Sequence, residues 1–341
     1  MKLNILITAD PEIPVPPILY GGIERIIYDL TKELTVKGHN VILLANKDSK
    51  VKCKLVPYKG FSSRSITHTI NNSRQLYDIY RKHNIDIVHS FGRLSYLLPI
   101  LRSGIPKIQT YQRHITNKSI RIAEILGARN LVITACSDNC LNTAKINNFD
   151  SFAIHNFVDL NKYSFKKNVK NDAPLVFLGR LDHIKGAHNA IEVAKNTNRQ
   201  LLIAGNRTKE EKDYFDNEIM SQCDGKIIKY LGPVNDEEKN KLLGTAAALL
   251  FPIEWDEPFG IVMAEALACG TPVIAFRRGS VPEVIDHGIN GYICENVEEM
   301  INFVEKIDGI NRTECRKSAE LNFSKNVITE KYENLYYSLK K

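Results

Sequence analysis

The sequence predicts an α/β protein built from two Rossmann-like, doubly wound parallel-sheet domains. Three observations carry this reading. Short apolar runs alternate with helix-like stretches, which is the rhythm of βαβ units. The rhythm stops over Asp159–Asp172, a polar stretch rich in Lys and Asn, and then starts again. The length, 341 residues, accommodates about two domains at roughly 150 residues each.

Leu3–Ala9 reads as the first strand. A loop rich in proline (Pro11, Pro14, Pro16, Pro17) leads to Gly21-Gly22. Ile23, Ile26, Ile27, Leu30 and Leu34 then recur at helical spacing, and Gly38 ends that helix. Val41–Ala45 is the next strand, followed by Ile85–His89, Lys107–Tyr111 and Leu131–Ala135. After the break, Pro174–Leu178 is a strand ending in Gly179-Arg180, and a helix follows over about Ala187–Lys195. Leu201–Gly205, Ile227–Gly232, Ala246–Phe251 and Pro272–Phe276 complete the second set of strands. Ser324 opens a final helix over Asn322–Leu339. The expected domains are therefore 1–165 and 166–323, with 324–341 as a terminal helix. Two such domains present the carboxyl edges of their sheets to a cleft, where a ligand is expected. No GxGxxG follows any of these strands, which counts against a two-domain dehydrogenase.

Composition narrows the class further. Apolar residues make up 43% and charged residues 25%, both ordinary for a globular protein. With 19 Gly, 13 Pro and no internal repeat, the chain is neither collagen-like nor of low complexity. Its seven cysteines (53, 136, 140, 223, 269, 294, 315) form no CxxC pair, and no His stands at zinc-finger spacing from them. They read as buried free thiols in a reducing cytosol. No apolar run reaches the ~18 residues of a membrane-spanning helix. The opening Met1–Asp10 reads as a strand rather than a signal peptide, because Asn4 interrupts it and Asp10-Pro11-Glu12 follows. The expected location is cytoplasmic.

Charge is divided unevenly. Residues 1–165 hold 22 Lys/Arg and 12 Asp/Glu, a balance of +10, whereas the remainder carries −3 of the total +7. The excess concentrates in 47–129, with 16 basic residues against 4 acidic ones. Such asymmetry points to an anionic partner: nucleic acid, the anionic face of a membrane, or a diphosphate-bearing acceptor. A solvated basic face accounts for it equally well.

The most informative segment is Glu254–Pro272, which holds two glutamates eight residues apart, Glu257 and Glu265. Pro258 suits the first turn of a helix. Phe259, Gly260 and Ile261 then sit near a helix N-terminus, whose unsatisfied amides favour a phosphate. Gly260 lets a ligand approach the backbone closely. Glu265 lies about two turns along. A carboxylate accepts two hydrogen bonds side by side, as a vicinal diol offers them. Two surface glutamates on an amphipathic helix have the same spacing, so the pair alone does not decide.

The wider pattern does. "DEPFGIVMAEALACGTPVIA", then "GSVPEVIDHGINGYI" (Gly279–Ile293), "FLGRLDHIKGAHNAIEVAK" (Phe177–Lys195) and "YGGIERIIYDLTKELTVKGHNVILLA" (Tyr20–Ala45) resemble the retaining glycosyltransferases of family 4 and their E-x7-E signature. The likeness covers nearly the whole chain and is weakest over about 47–84. It implies a GT-B fold: two Rossmann-like domains, an acceptor side on the first, a donor site mostly on the second, and a last helix crossing back to the first.

The resemblance also assigns roles. Arg180 and Lys185 bind the donor diphosphate, Glu257 holds hydroxyls of the transferred sugar, and Glu265 holds the ribose hydroxyls. Glu257, Arg180 and Lys185 form the implied catalytic set. Phe259, Gly260 and Ile261 offer backbone contacts. Gly21 and Gly22 face the diphosphate and acceptor across the cleft, although a plain tight turn has the same look. The loops at Gly205-Asn206 and Leu231-Gly232-Pro233-Val234 bracket the base, with Leu231, Gly232 and Val234 as contacts. The family's sugar-contacting His has no clear counterpart: Gln112 aligns there, with His114 two residues on and His89 after "IDIV" as other candidates. Each of these positions also suits a core or loop residue. Phe157 stands where many relatives carry Gly, in a strand read as the hinge.

The implied activity is transfer of a hexosyl group from a nucleoside-diphosphate sugar to a hydroxyl acceptor with retention of configuration. A UDP-sugar is the expected donor and GDP-mannose the alternative. Two fixed cations and helix amides stabilise a departing diphosphate. With no DxD and no clustered His/Asp/Glu set read from the sequence, the expectation is no metal and no other cofactor. The expected partners are a glycan or lipid-linked acceptor and an anionic membrane surface, rather than nucleic acid. A non-catalytic nucleotide-sugar-binding subunit and a nucleotide-sugar epimerase are the competing readings.

Overall fold

A computed structural model describes residues 1–18, 21–208 and 210–340. Tyr20, which opens the N-terminal motif, and Lys341, the end of the expected last helix, lie outside the described residues. The chain divides into two compact units: residues 1–156 with 325–341, and residues 157–324.

The first unit holds a seven-stranded sheet. Its strands are β1 (Asn4–Thr8), β2 (Asn40–Ala45), β3 (Lys54–Pro57), β4 (Ile87–Ser90), β5 (Lys107–Tyr111), β6 (Leu131–Ala135) and β7 (Ser151–Ala153). The order is β3-β2-β1-β4-β5-β6-β7, and every pair is parallel. Ile5, Leu6 and Ile7 of β1 are wholly buried, as expected of a strand with neighbours on both edges and layers on both faces. The helices Gly22–Val36, Ile66–Lys82 and Asn117–Ile125 connect the strands. The first of them is amphipathic by sequence: Ile26, Ile27, Leu30 and Leu34 form its buried stripe.

The second unit holds a six-stranded sheet. Its strands are β8 (Leu175–Leu178), β9 (Leu201–Ala204), β10 (Ile228–Gly232), β11 (Ala248–Phe251), β12 (Val273–Phe276) and β13 (Gly291–Cys294). The order is β10-β9-β8-β11-β12-β13, again all parallel. Each sheet therefore reverses its strand order once, between β1 and β4 in one unit and between β8 and β11 in the other. Such a switch point opens a crevice at the carboxyl ends of its two strands.

The division between the units falls after residue 156, earlier than the expected boundary after residue 165. Residues 157–165 are tied to the second unit. Val158 N–H donates to Phe323 O (2.8 Å), Tyr163 OH donates to Glu265 (2.6 Å) and Lys166 N–H donates to Cys269 O (3.0 Å). The last helix is Lys325–Leu339, not Asn322–Leu339: Asn322 ends the preceding helix, and Ser324 forms a β-bridge with Val158. This last helix belongs to the first unit, where Lys325 pairs with Glu33 (3.0 Å) and Glu333 pairs with Lys37 (2.8 Å).

Five of the seven cysteines are buried, and Cys53 and Cys223 are half-buried. Burial pushes the Cys269, Cys294 and Cys315 thiols up to about 12, which keeps them protonated and unreactive. Among the described residues no helix is long and apolar enough to cross a membrane.

Candidate active site

The second unit places its chemistry at the switch point between β8 and β11. Gly179-Arg180 leaves β8, and Arg180 pairs with Asp182. A tight turn over His183–Lys185 follows, ending at Gly186 in the left-handed conformation (φ 73°). A Cβ on Gly186 would stand 1.9 Å from Pro252 O, so only glycine lets the β8 turn approach the loop after β11. The two segments are joined further by Glu254 N–H donating to Ile184 O (2.9 Å).

This approach brings two of the expected residues together. Lys185 Nζ lies 2.5 Å from Glu257 Oε2, with side-chain exposures of only 17% and 14%. Trp255 Nε1–H donates to the same oxygen (2.8 Å), and Lys185 Nζ stands 5.1 Å from the centre of the Trp255 ring. A third segment fixes the Glu257 backbone. Ser280 N–H donates to Glu257 O (3.0 Å), and a Cβ on Gly279 (φ 54°) would lie 2.3 Å from both Glu257 N and O. The "GSVPEV" motif is thus a clamp on Glu257.

The helix carrying the second glutamate spans Ile261–Ala268, with Gly260 as its N-cap in the left-handed region (φ 66°). Pro258 therefore precedes the helix instead of opening its first turn, because Gly260 takes the capping position. Phe259 buries its ring against Phe323 (5.7 Å) and leaves only its backbone for a ligand. Ile261 is the first helical residue. Glu265, one turn in, accepts from Tyr163 OH (2.6 Å) and from Lys239 Nζ (2.5 Å). Burial and the Glu265 charge hold the Tyr163 hydroxyl far above its usual range. Glu257 and Glu265 thus each carry a cation of their own.

At the ends of β9 and β10, Gly205 N–H donates to Gly232 O (3.0 Å) and Tyr230 OH donates to Gly205 O (3.0 Å). A pocket of about 520 Å³ lies here, lined by Asn206, Arg207, Phe215, Met220, Tyr230 and Pro233. Its aromatic wall is a T-shaped Phe215–Tyr230 pair (5.1 Å). Leu231 is half exposed, and Gly232 and Val234 are half-buried; none of the three lines this pocket.

The first unit separates the three candidates for a sugar contact. His89 is wholly buried: Nδ1 lies 2.6 Å from Tyr336 OH and Nε2 lies 2.6 Å from Thr110 Oγ1. Burial lowers its pKa to about 3, so it stays neutral. His89 is a core residue that ties the last helix to the sheet, which corrects its expected role. Gln112 accepts from Asn156 Nδ2 (2.7 Å), and its own buried Nε2 has no partner among the described residues. It lines a cavity of about 770 Å³ at the carboxyl edge of the sheet. His114 is half-buried and does not line that cavity. Gly21 (φ 149°) is the N-cap of the Gly22–Val36 helix, and Gly22 is its first residue.

The same cavity holds residues that the motifs did not reveal. Asp10 and Glu24 stand in it with Arg93 and Arg113, and the buried Asp10 Oδ1 and Gln109 Oε1 have no partner among the described residues. Burial, helped by Glu12, pushes the Asp10 carboxyl up to about 6, and burial raises Glu24 as well. The signal for Asp10 was present: it is the acid that follows β1, one of the two strands at the switch point.

Comparison with known proteins agrees with this fold. Residues 160–328 match the family described as glycosyl transferases group 1, and residues 20–162 match glycosyltransferase family 4. The chain belongs to this glycosyltransferase family and has the GT-B fold of two Rossmann-like domains. An uncharacterized glycosyltransferase of Methanocaldococcus jannaschii is 31% identical over 38% of this chain, and the match spans only 34% of that protein. N-acetyl-alpha-D-glucosaminyl L-malate synthase of Bacillus anthracis is 23% identical over 99% of this chain and 98% of its own length. Among solved structures, Alr3699/HepE of Anabaena in complex with UDP and glucose has a TM-score of 0.76 at 18% identity. It covers 98% of this chain and 100% of that one.

Proposed function

We propose that this glycosyltransferase moves a hexosyl group from a UDP-sugar to a hydroxyl acceptor, with retention of configuration and without a catalytic metal. The observation that carries the reading is the Lys185–Glu257 pair at the β8/β11 switch point, with Arg180 at the end of the same strand. Lys185 and Arg180 supply positive charge for the departing diphosphate, and the amides at Gly260 and Ile261 add helix-terminal donors. Glu257 then serves the sugar hydroxyls and Glu265 the ribose. The pocket beside Tyr230 and Pro233 takes the base, and Phe215 offers it a ring edge. A base contact at Leu231, Gly232 and Val234 rests on the family resemblance alone, since none of them lines that pocket. Gly21 and Gly22 are the helix-terminal amides that the first unit offers to an anion.

The acceptor reading rests on the 770 Å³ cavity, whose buried and unpartnered oxygens at Asp10 and Gln109 suit a hydroxyl-rich molecule. Gln112 lines it as well; the role of His114 rests on the family resemblance alone. The basic excess over 47–129 supports an anionic membrane surface as a further partner. Co-sedimentation with anionic vesicles tests that part: binding that is absent at low salt counts against it.

The decisive experiment is calorimetric titration with UDP, GDP and ADP in EDTA, followed by product analysis with the preferred nucleotide sugar. UDP binding and a product of unchanged anomeric configuration are expected. Preference for GDP turns the donor to GDP-mannose. Nucleotide binding without turnover over a broad acceptor panel turns the protein into a binding subunit, and a new nucleotide sugar formed without acceptor turns it into an epimerase.

A further inference from the structure

Beside these pairs the second unit carries another cluster of chemistry-bearing side chains. His183, His188 and Glu254 converge from three places: the turn after β8, the first turn of the Ala187–Asn196 helix, and the loop after β11. Glu254 Oε2 lies 3.2 Å from His183 Nδ1, and Glu254 Oε1 lies 3.1 Å from His188 Nε2. One ligand atom from each residue falls within 4.8 Å of the others. A tetrahedral ion with bonds of about 2.0–2.1 Å holds neighbouring ligand atoms roughly 3.3 Å apart. The two carboxylate–imidazole spacings, 3.2 and 3.1 Å, are close to that value, and the three groups lie within reach of one ion. The His183 side chain is 57% exposed and that of Glu254 33%, which leaves an entry path and a position for water.

The surroundings favour the same reading. His188 Nδ1 lies 2.9 Å from Tyr214 OH, an oxygen that also accepts the His188 backbone N–H (3.3 Å). When the phenol oxygen accepts from Nδ1–H, Nε2 presents its lone pair on the carboxylate side, where one cation can bind both groups. A partner on the second ring nitrogen is how proteins orient a ligating imidazole. Asn189 Nδ2 donates to Glu254 Oε1 (2.8 Å) and steadies the carboxylate in turn.

We propose that His183 Nδ1, His188 Nε2 and Glu254 form a binding site for one divalent cation of the zinc class. Two imidazole nitrogens and one carboxylate suit zinc, cobalt, nickel or copper better than magnesium or calcium. The ion ties the turn that carries Lys185 to the loop that carries Glu257, the two segments already joined at Ile184 and Glu254. It takes none of Arg180, Lys185, Glu257 or Glu265, so it is a structural clip and not a participant in transfer.

The test is titration of the chelator-stripped, dialysed protein with Co²⁺, followed by visible absorption, and then displacement by Zn²⁺. One equivalent is expected, with the bands of a four-coordinate nitrogen and oxygen site. His183→Ala and His188→Ala should each weaken Co²⁺ at least ~10-fold, and Tyr214→Phe about 10-fold, through the lost partner on Nδ1. Zn²⁺ should raise the Tm of the wild type and leave that of the His183→Ala/His188→Ala double variant unchanged. A folded wild type that takes up no Co²⁺ overturns the proposal. So does uptake that persists at full strength in the double variant, which puts the ion elsewhere. Should His188→Ala fail to fold, His183→Ala decides alone, since its side chain is more than half exposed.

Discussion

Lys185 Nζ stands 2.5 Å from Glu257 Oε2, so the cation assigned to the diphosphate and the carboxylate assigned to the sugar hold each other. On the proposed reading a donor exchanges these partners, phosphate oxygens taking Lys185 as hydroxyl groups take Glu257. The pair is mostly out of solvent, where such an exchange keeps both charges compensated.

The exchange makes a directional prediction. Glu257→Gln should lower kcat/KM for transfer by about 100-fold or more, the loss expected when a transition-state contact is removed. UDP by itself should bind as well as before or more tightly, because Lys185 has lost its competitor. Calorimetry with UDP beside steady-state kinetics reads both quantities, and a large loss of UDP affinity would contradict the assigned roles.

Glu265 should behave in the opposite way. Glu265→Ala removes the ribose contact, and nucleotide affinity should fall roughly 10–100-fold, about 1.4–2.7 kcal/mol. Stability should fall as well, by about 1–3 kcal/mol, because Lys239 and the Tyr163 hydroxyl lose their shared acceptor. Tyr163→Phe separates the two effects: it removes the hydroxyl's hydrogen bond to Glu265 and should leave UDP affinity within about threefold.

Gly279→Ala probes the clamp on Glu257. The added Cβ would meet the Glu257 backbone at 2.3 Å and would strain a φ of 54°. We expect kcat to fall at least ~10-fold through misplacement of Glu257. Gly288→Ala is the control, with a φ of 81° but open space around the new atom. It should cost about 1 kcal/mol of stability and leave turnover intact.

His89 makes a prediction about acid. In the folded chain it stays neutral down to about pH 3, whereas in the unfolded chain it protonates near its ordinary 6.5. Its contribution to stability is full above pH 6.5 and is lost as pH falls towards 3, by up to ~1.4 kcal/mol per pH unit. His89→Phe should flatten that acid dependence. At pH 7 it should cost about 1–3 kcal/mol, because Tyr336 and Thr110 lose a partner. Native-state hydrogen exchange of the β4 amides at several pH values measures both effects. Donor KM should not move.

Most strands that could be read from sequence have a neighbour on each side; β10, a sheet edge, is the exception. β1, β2, β6, β8, β9, β11 and β12 are rich in Ile, Leu, Val and Ala, because helices or loops cover both of their faces. β3 (Lys54–Pro57) and β7 (Ser151–Ala153) are sheet edges with half-exposed residues, so they carry no apolar run. β13 opens on Gly291, where a Cβ would lie 2.0 Å from Val273 O; its signal is a packing constraint rather than a hydrophobic one. Arg180, Lys185, Glu257 and Glu265 stand out in the sequence because their motifs are contiguous. Partner choice does not, since Lys185 and Glu257 are 72 positions apart. The choice between a site and a core role for His89 was not legible for the same reason. What makes it a core residue is Tyr336, 247 positions away, and no local pattern announces that contact.

The last helix has a bearing on how the chain is made. Residues 157–324 form one uninterrupted unit, but the unit that begins at residue 1 is finished only by the helix at 325–339. On the ribosome the second unit can close as soon as its own residues emerge, while the first waits with His89 and its neighbours uncovered until Tyr332 and Tyr336 arrive. The domain synthesised first is the one completed last.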